Sequence, residues 1–142
     1  MTPEQKIKQL VIIANADLCG VQPPEINEAN VDDLYAAGEG DDWGLQDARE
    51  EVRGGEFETG IPCDWSRHYE SKSVAAKAPD GSWVGWTYWY GGGKHGEPEG
   101  IDWMDSAYDL DVTEEEKVVT VRTFAKAAPL AALSSGENNN GE

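Results

Sequence analysis

Residues 73–93, SVAAKAPDGSWVGWTYWYGGG, constrain the fold of this chain more than any other stretch. Asp80-Gly81 in its middle is typical of a hairpin turn, because Gly accepts positive φ and Asp hydrogen-bonds locally to the backbone. The residues that follow are mostly aromatic, with Val and Thr, and these types suit a pleated, half-buried surface. We therefore predict a β-hairpin with strands at residues 72–78 and 83–90.

Both faces of the second strand carry large rings. Alternation divides its residues between the faces: Trp83, Thr87 and Trp89 on one, and Val84, Trp86, Tyr88 and Tyr90 on the other. A small sheet of this kind must cover each face with protein or offer one face to a partner. We expect the hairpin to act mainly as core and scaffold.

Helical periodicity is found before the hairpin. The strongest case is residues 2–18, where Thr2 and Gln5 match a capping box and Gly20 is placed to end the helix. Apolar residues recur there at helical spacing and predict one buried stripe that ends at Leu18. Two shorter helices are predicted, at residues 30–37 with Asn30 as N-cap and at residues 43–53 with Asp42 as N-cap.

The remaining segments complete an α+β fold. Residues 56–69 are irregular or form a short edge strand, and residues 101–110 form a helical turn or a short helix. The clean alternation of KVVTVRTFAK at residues 117–126 predicts the last strand, paired antiparallel with the hairpin. The expected fold is a single domain at residues 1–126, with N-terminal helices packed on an antiparallel sheet of three to four strands. Residues 127–142 are expected to form a disordered tail.

Acidic side chains are unusually abundant and unevenly placed. The chain has 28 acidic and 11 basic residues, a net charge of −17. Residues 1–60 hold 14 acids and 4 bases, residues 61–100 hold 5 and 4, and residues 101–142 hold 9 and 3. The hairpin is therefore nearly neutral and its flanks carry the charge. This balance argues against direct binding of nucleic acid or anionic membranes, which needs clustered Lys and Arg, and favours a basic protein partner.

Motifs for catalysis or metal binding are weak. Cys63, His68 and His95 could supply zinc ligands or a Cys–His pair, but their spacing matches no zinc motif. We predict a non-enzymatic protein without cofactor, and keep a metal-dependent enzyme as a lesser alternative. The polar start of the chain and its two cysteines predict an intracellular protein with reduced thiols.

A resemblance to a known group is carried by four stretches: IPCDWSRHYESKSVAAK, DGSWVGWTYWYGGGKHGEPE, IDWMDSAYDLD and EEEKVVTVRTFAK. Residues 55–126 resemble small uncharacterised acidic proteins encoded by tailed phages and prophages. The group supplies no catalytic residue to carry over. The resemblance implies an accessory protein that acts in the cytoplasm of a bacterial host and inhibits a host defence complex, such as a CRISPR effector, or a host enzyme.

These observations predict an acidic protein that binds a basic surface of a host protein and blocks it. The more specific form of the hypothesis is DNA mimicry. Fixed carboxylates can imitate the phosphates of a duplex, which carries about one charge per 1.7 Å of its axis. The predicted contact residues are acidic: Asp41, Asp42, Asp47, Glu50 and Glu51 first, and Asp105, Asp109, Asp111, Glu114, Glu115 and Glu116 second. The alternative is an interaction module that uses an exposed aromatic patch of Trp86, Tyr88 and Tyr90. The oligomeric state stays open.

Overall fold

The computed structural model describes residues 1–41 and 44–128, except for the side chain of His95. The chain divides into two units, Met1–Val112 and Thr113–Glu142. Every helix and strand of the described residues belongs to the first unit. The predicted disordered tail lies outside the described residues, apart from residues 127 and 128, which are exposed and without regular structure.

Helix α1 (Pro3–Cys19) is the element against which both other helices pack. Its start confirms the predicted capping box, since Gln5 N donates to Thr2 Oγ1 at 3.2 Å and Thr2 N donates to Gln5 Oε1 at 2.9 Å. Gly20 ends the helix with φ of 70°, as predicted. The stripe ends earlier than predicted, because Leu18 is 54% exposed while Ile7 and Val11 are fully buried.

Helices α2 (Val31–Glu39) and α3 (Gln46–Arg53) are present, but their starts differ from the prediction. Asn30 makes no side-chain bond to α2; instead its Oδ1 accepts from Asn27 N at 2.8 Å. Helix α3 begins at Gln46 because Gly44 has a positive φ of 58°, which interrupts a helix. The N-cap position is Leu45, so the assignment of Asp42 as N-cap is wrong, and Asp42 itself lies outside the described residues.

The sheet has four antiparallel strands in the order β1 (Phe57–Glu58), β2 (Glu70–Lys77), β3 (Trp83–Tyr90) and β4 (Tyr108–Leu110). Strands β2 and β3 form the predicted hairpin, with Val74 opposite Trp86. In the turn, Asp80 Oδ1 accepts from Ser82 N at 2.9 Å, and the hydrogen bonds from Ser82 hold the pKa of Asp80 below its usual value. The α+β fold class is confirmed.

The identity of the last strand differs from the prediction. Strand β4 pairs with β3, with Tyr108 opposite Gly85 and Leu110 opposite Trp83, where the sequence predicts a helical turn. This pairing depends on a missing side chain, because a Cβ at Gly85 would lie 2.8 Å from the Tyr108 ring and 2.9 Å from Leu110. The helical turn is limited to a 3-10 turn at Met104–Ser106.

The predicted strand at residues 117–126 is wrong. These residues form no helix or strand, and all of them are exposed. An alternation of apolar and polar residues indicates that a stretch suits a pleated sheet, but it does not determine which strand the stretch would pair with.

The core lies between the helices and one face of the sheet. It contains Val74, Val84 and Trp86 from the sheet, with Ile7 and Val11 from α1. The Trp103 ring, also buried, lies 5.6 Å from the Trp86 ring and is tilted by 43° against it.

Within the described ranges, no helix combines the length and the apolar composition that crossing a membrane requires.

Gly55 supplies a stability test at the junction of α3 and β2. Its φ is 70°, and an added Cβ would lie 2.6 Å from the Val74 Cβ. We expect Gly55→Ala to lower the free energy of unfolding by about 2–4 kcal/mol, since backbone strain adds to overpacking. Urea unfolding followed by tryptophan fluorescence measures this.

Gly54→Ala is the matched control, because Gly54 has φ of −74° and no atom within 4 Å of an added Cβ. Its free energy of unfolding should stay the same or rise by up to about 1 kcal/mol. Equal losses in the two variants would contradict the packing described for Gly55.

Candidate functional site

Arg53 joins the last turn of α3 to the sheet. Only 5% of the residue is exposed. Its Nη1 donates to the Trp89 carbonyl oxygen at 2.6 Å, while Nε and Nη2 donate to the Glu50 carboxylate at 3.2 and 2.7 Å. A guanidinium presents its donors in a rigid fork, so these bonds fix both the helix end and the Glu50 side chain.

Two rings of β3 complete the surroundings of Arg53. Trp86 Nε1 donates to the Arg53 carbonyl oxygen at 2.8 Å, and the guanidinium lies 4.8 Å from the centre of the Tyr88 ring. Burial opposes the charged form of Arg53, but the hydrogen bond and charge of Glu50 raise its pKa above the ordinary value. Arg53 therefore keeps its charge, as arginine does in proteins generally.

An open groove of about 870 Å³ lies beside this junction. Its walls come from the end of α2, from α3 and from the 3-10 turn at Pro98–Gly100. The charged residues that line it are Glu39, Asp47, Arg49, Glu50, Arg53, Glu97 and Glu99. We call it the acidic groove.

The charges of the acidic groove do not cancel. Glu50 pairs with Arg53, and Arg49 Nη1 lies 3.6 Å from the Glu39 carboxylate. For the other three acids, Asp47, Glu97 and Glu99, no ion pair is found in the part of the chain that the structure describes. The groove therefore presents a surplus of negative charge to solvent.

Tyr69 positions the turn that carries Glu97 and Glu99. Glu97 N donates to the Tyr69 hydroxyl oxygen at 3.3 Å. The Tyr69 ring lies against Gly92 and Gly96, where an added Cβ would approach it to 2.9 Å in each case. The glycine-rich loop after β3 therefore lets the backbone close on one tyrosine.

The first predicted contact group is divided among three grooves. Asp47 and Glu50 line the acidic groove, while Asp41 lines a neighbouring groove of about 650 Å³ to which Asp47 also contributes. Glu51 lines a third groove, with Asp17 and Glu56 among its neighbours. Asp42 lies outside the described residues. Two residues of this group, Asp47 and Glu50, thus share the acidic groove, and Asp47 also lines the neighbouring groove that contains Asp41.

The second predicted group does not line the acidic groove. Asp109 forms an ion pair with the nearly buried Lys6 at 2.6 Å. Asp105 lies beside Asp102; loss of solvation and then Asp105 raise the pKa of Asp102 above its usual value. The other four acids are exposed: Asp111 in the first unit, and Glu114, Glu115 and Glu116 in the second.

The prediction of an exposed aromatic patch is wrong for one of its three residues. Trp86 is fully buried, because it hydrogen-bonds to Arg53 and packs on Trp103. Tyr88 and Tyr90 are partly buried and stacked, with ring centres 5.3 Å apart and planes at 17°. Lys72 Nζ lies 5.7 Å from the Tyr88 ring and 5.6 Å from the Tyr90 ring.

Glu39, Glu97 and Glu99 are groove residues that the prediction missed. A usable signal exists for two of them, because Glu97 and Glu99 flank Pro98 within a glycine-rich stretch, which forces both acids onto an exposed turn. Glu39 has no comparable signal, since its place depends on how α2 meets α3.

The metal alternative gains no support from the described residues. Cys63 is half-buried, with its Sγ 3.5 Å from Ser71 Oγ, and His68 is exposed. Within the described ranges, no three His, Cys, Asp or Glu side chains are placed to hold a metal ion. The side chain of His95 is outside this description.

Comparisons of the chain with protein-family models, with curated proteins and with solved structures give no match.

Arg53→Met tests the junction on which the groove depends. The variant keeps the length of the side chain but leaves the Trp89 carbonyl without its charged donor, so we expect a loss of about 2–4 kcal/mol in the free energy of unfolding. Arg49→Met is the control, since Arg49 is one-third exposed and its contact is longer. Its loss should stay within about 1 kcal/mol in the same urea experiment. A smaller loss for Arg53→Met than for Arg49→Met would contradict the role of Arg53.

Proposed function

We propose that this protein binds a basic surface of another protein through the acidic groove and thereby inhibits it. The observation that carries the proposal is the surplus of charge, with Asp47, Glu97 and Glu99 facing one groove without ion pairs among the described residues. Lysine and arginine side chains are the groups that such a groove attracts.

The rest of the chain supports this direction of binding. A net charge of −17 exceeds the magnitude of about 2–8 that solubility requires of a small domain. The resulting field would speed the approach of a basic partner and repel nucleic acid. The two ion pairs of the groove hold Glu39 and Glu50 in place, so a partner would not have to order them.

The resemblance to phage and prophage proteins suggests the setting. A small acidic phage protein in the cytoplasm of a bacterial host would serve by occupying the basic groove of a host defence or nucleic-acid-processing complex. It would need neither a cofactor nor catalysis. Imitation of duplex phosphates by its carboxylates is the sharper form of the proposal.

The test uses a triple variant of the unpaired groove acids, Asp47→Asn, Glu97→Gln and Glu99→Gln. Glu39 and Glu50 stay unchanged because they hold arginines in place. Tagged protein captures partners from a bacterial lysate, and binding of the purified partner is then measured at low and high salt. We expect the triple variant to weaken binding at least about tenfold at low salt, and high salt to weaken binding of the unchanged protein.

A matched control changes the same amount of charge elsewhere: Glu25→Gln, Asp33→Asn and Asp64→Asn. These three acids are exposed and line none of the three grooves described above. The control should bind as the unchanged protein does, and duplex DNA should displace the partner if mimicry operates. Equal binding by the two triple variants would refute the groove as the site. Salt-insensitive binding that is lost on Tyr90→Ala would select the aromatic alternative.

A further inference from the structure

Residues 116–126, EKVVTVRTFAK, form a strand-like sequence that is not a strand. We call them the exposed segment. Val118 is fully exposed, Val119, Val121 and Phe124 are 75–86% exposed, and none of the segment lies in a helix or strand. Such a stretch, with high β-propensity and no Pro, is a template for pairing with another chain.

We propose that two copies of this protein associate by antiparallel pairing of their exposed segments, with Val121 of one copy opposite Val121 of the other. The pairing needs only residues of the second unit and does not involve the acidic groove. It would add a shared two-stranded ribbon to two otherwise separate molecules.

The argument is that the segment is complementary to itself in this register. Glu116 of each copy faces Lys126 of the other, which gives two cross-strand ion pairs by symmetry. One step inward on the same face, Val118 meets Phe124, an aromatic and β-branched pair of the type that stabilises sheets. At these two positions opposite charges face each other and apolar side chains face each other, while Lys117 and Arg122 face Ala125 and Thr120.

The neighbouring registers lack this agreement. A shift by one residue in one direction places Lys117 opposite Lys126 twice, and like charges directly opposite are destabilising. The same shift in the other direction places Lys117 opposite Phe124, and a shift by two in that direction places Glu116 opposite Phe124. A shift by two in the first direction brings Arg122 against Arg122. The register centred on Val121 is therefore the only one, within two residues, in which no like charges are opposite each other and no charged residue is opposite Phe124.

Charge also favours a second copy of the protein as the partner of the exposed segment. Residues 117–126 hold three basic and no acidic side chains in a chain of net charge −17, and Glu114, Glu115 and Glu116 precede them. In the antiparallel pair, the acidic end of each segment adjoins the basic end of its mate. Because the ribbon is small, we expect a weak dimer whose population rises with protein concentration.

Disulfide trapping tests the register. The background variant Cys19→Ser and Cys63→Ser removes both native thiols, and Val121→Cys or Val119→Cys then adds one. Opposed residues in an antiparallel pair have Cβ atoms about 4.5–5.5 Å apart, within reach of a disulfide after small adjustment. Two cysteines introduced at position 119 would instead be displaced by roughly 14 Å along the ribbon, from a rise of about 3.4 Å per residue.

We expect Val121→Cys to form covalent dimers at least about tenfold faster than Val119→Cys under the same mild oxidation. A mixture of the Val119→Cys and Thr123→Cys chains should form the mixed dimer, because these positions are opposite each other. Equal rates at positions 119 and 121, or no concentration-dependent dimer, would overturn the proposal.

Charge exchange provides a test without cysteine. Glu116→Lys and Lys126→Glu each place like charges opposite each other, so either variant alone should reduce the dimer seen in sedimentation velocity. The double variant restores opposite charges and should restore the dimer. Failure of the double variant to exceed both single variants would also overturn the proposed register.

Discussion

The buried charge of Arg53 is the interaction on which the rest of the structure depends. A guanidinium that is 5% exposed must have its donors satisfied, and here a carbonyl of β3 and the Glu50 carboxylate satisfy them. The Arg53 carbonyl in turn accepts a hydrogen bond from the indole N–H of Trp86, a fully buried residue of the core. Separation of α3 from the sheet would therefore break the bond from Arg53 to the Trp89 carbonyl and the bond from the Trp86 indole to the Arg53 carbonyl at once, and this cost holds the helix in one position.

That position creates the acidic groove. Because Arg53 Nη1 binds the Trp89 carbonyl, the end of α3 is held against the sheet, and Asp47 and Glu50, one helical turn apart, line the same groove as Glu97 and Glu99. The groove thus combines a rigid, charge-paired side with acids that lack ion pairs among the described residues. This combination is the basis of our proposal that the groove recognises lysine and arginine side chains.

The parts of the fold that depend on a few neighbouring residues can be predicted from the sequence. The capping box of Thr2 and Gln5, the stop at Gly20 and the turn at Asp80 are decided by a few neighbouring residues, and the structure confirms them. The prediction of the last strand is wrong because a strand needs a partner strand. The absence of a side chain at Gly85 lets Tyr108 and Leu110 pair with β3, although residues 117–126 alternate more regularly. The candidate site was predicted in part, through Asp47 and Glu50, because clustering of acids on one helix is visible in the sequence. The approach of Glu39, Glu97 and Glu99 to that helix is a tertiary property and was missed.

Hydrogen–deuterium exchange of the protein, free and bound to its captured partner, tests the central claim most directly. If the acidic groove is the binding surface, amide exchange should slow in residues 44–53 and 97–103 on binding, and remain unchanged in β1. Slowing that is confined to other segments, such as the Tyr88–Tyr90 end of β3 or residues 116–126, with no change along α3, would contradict the account.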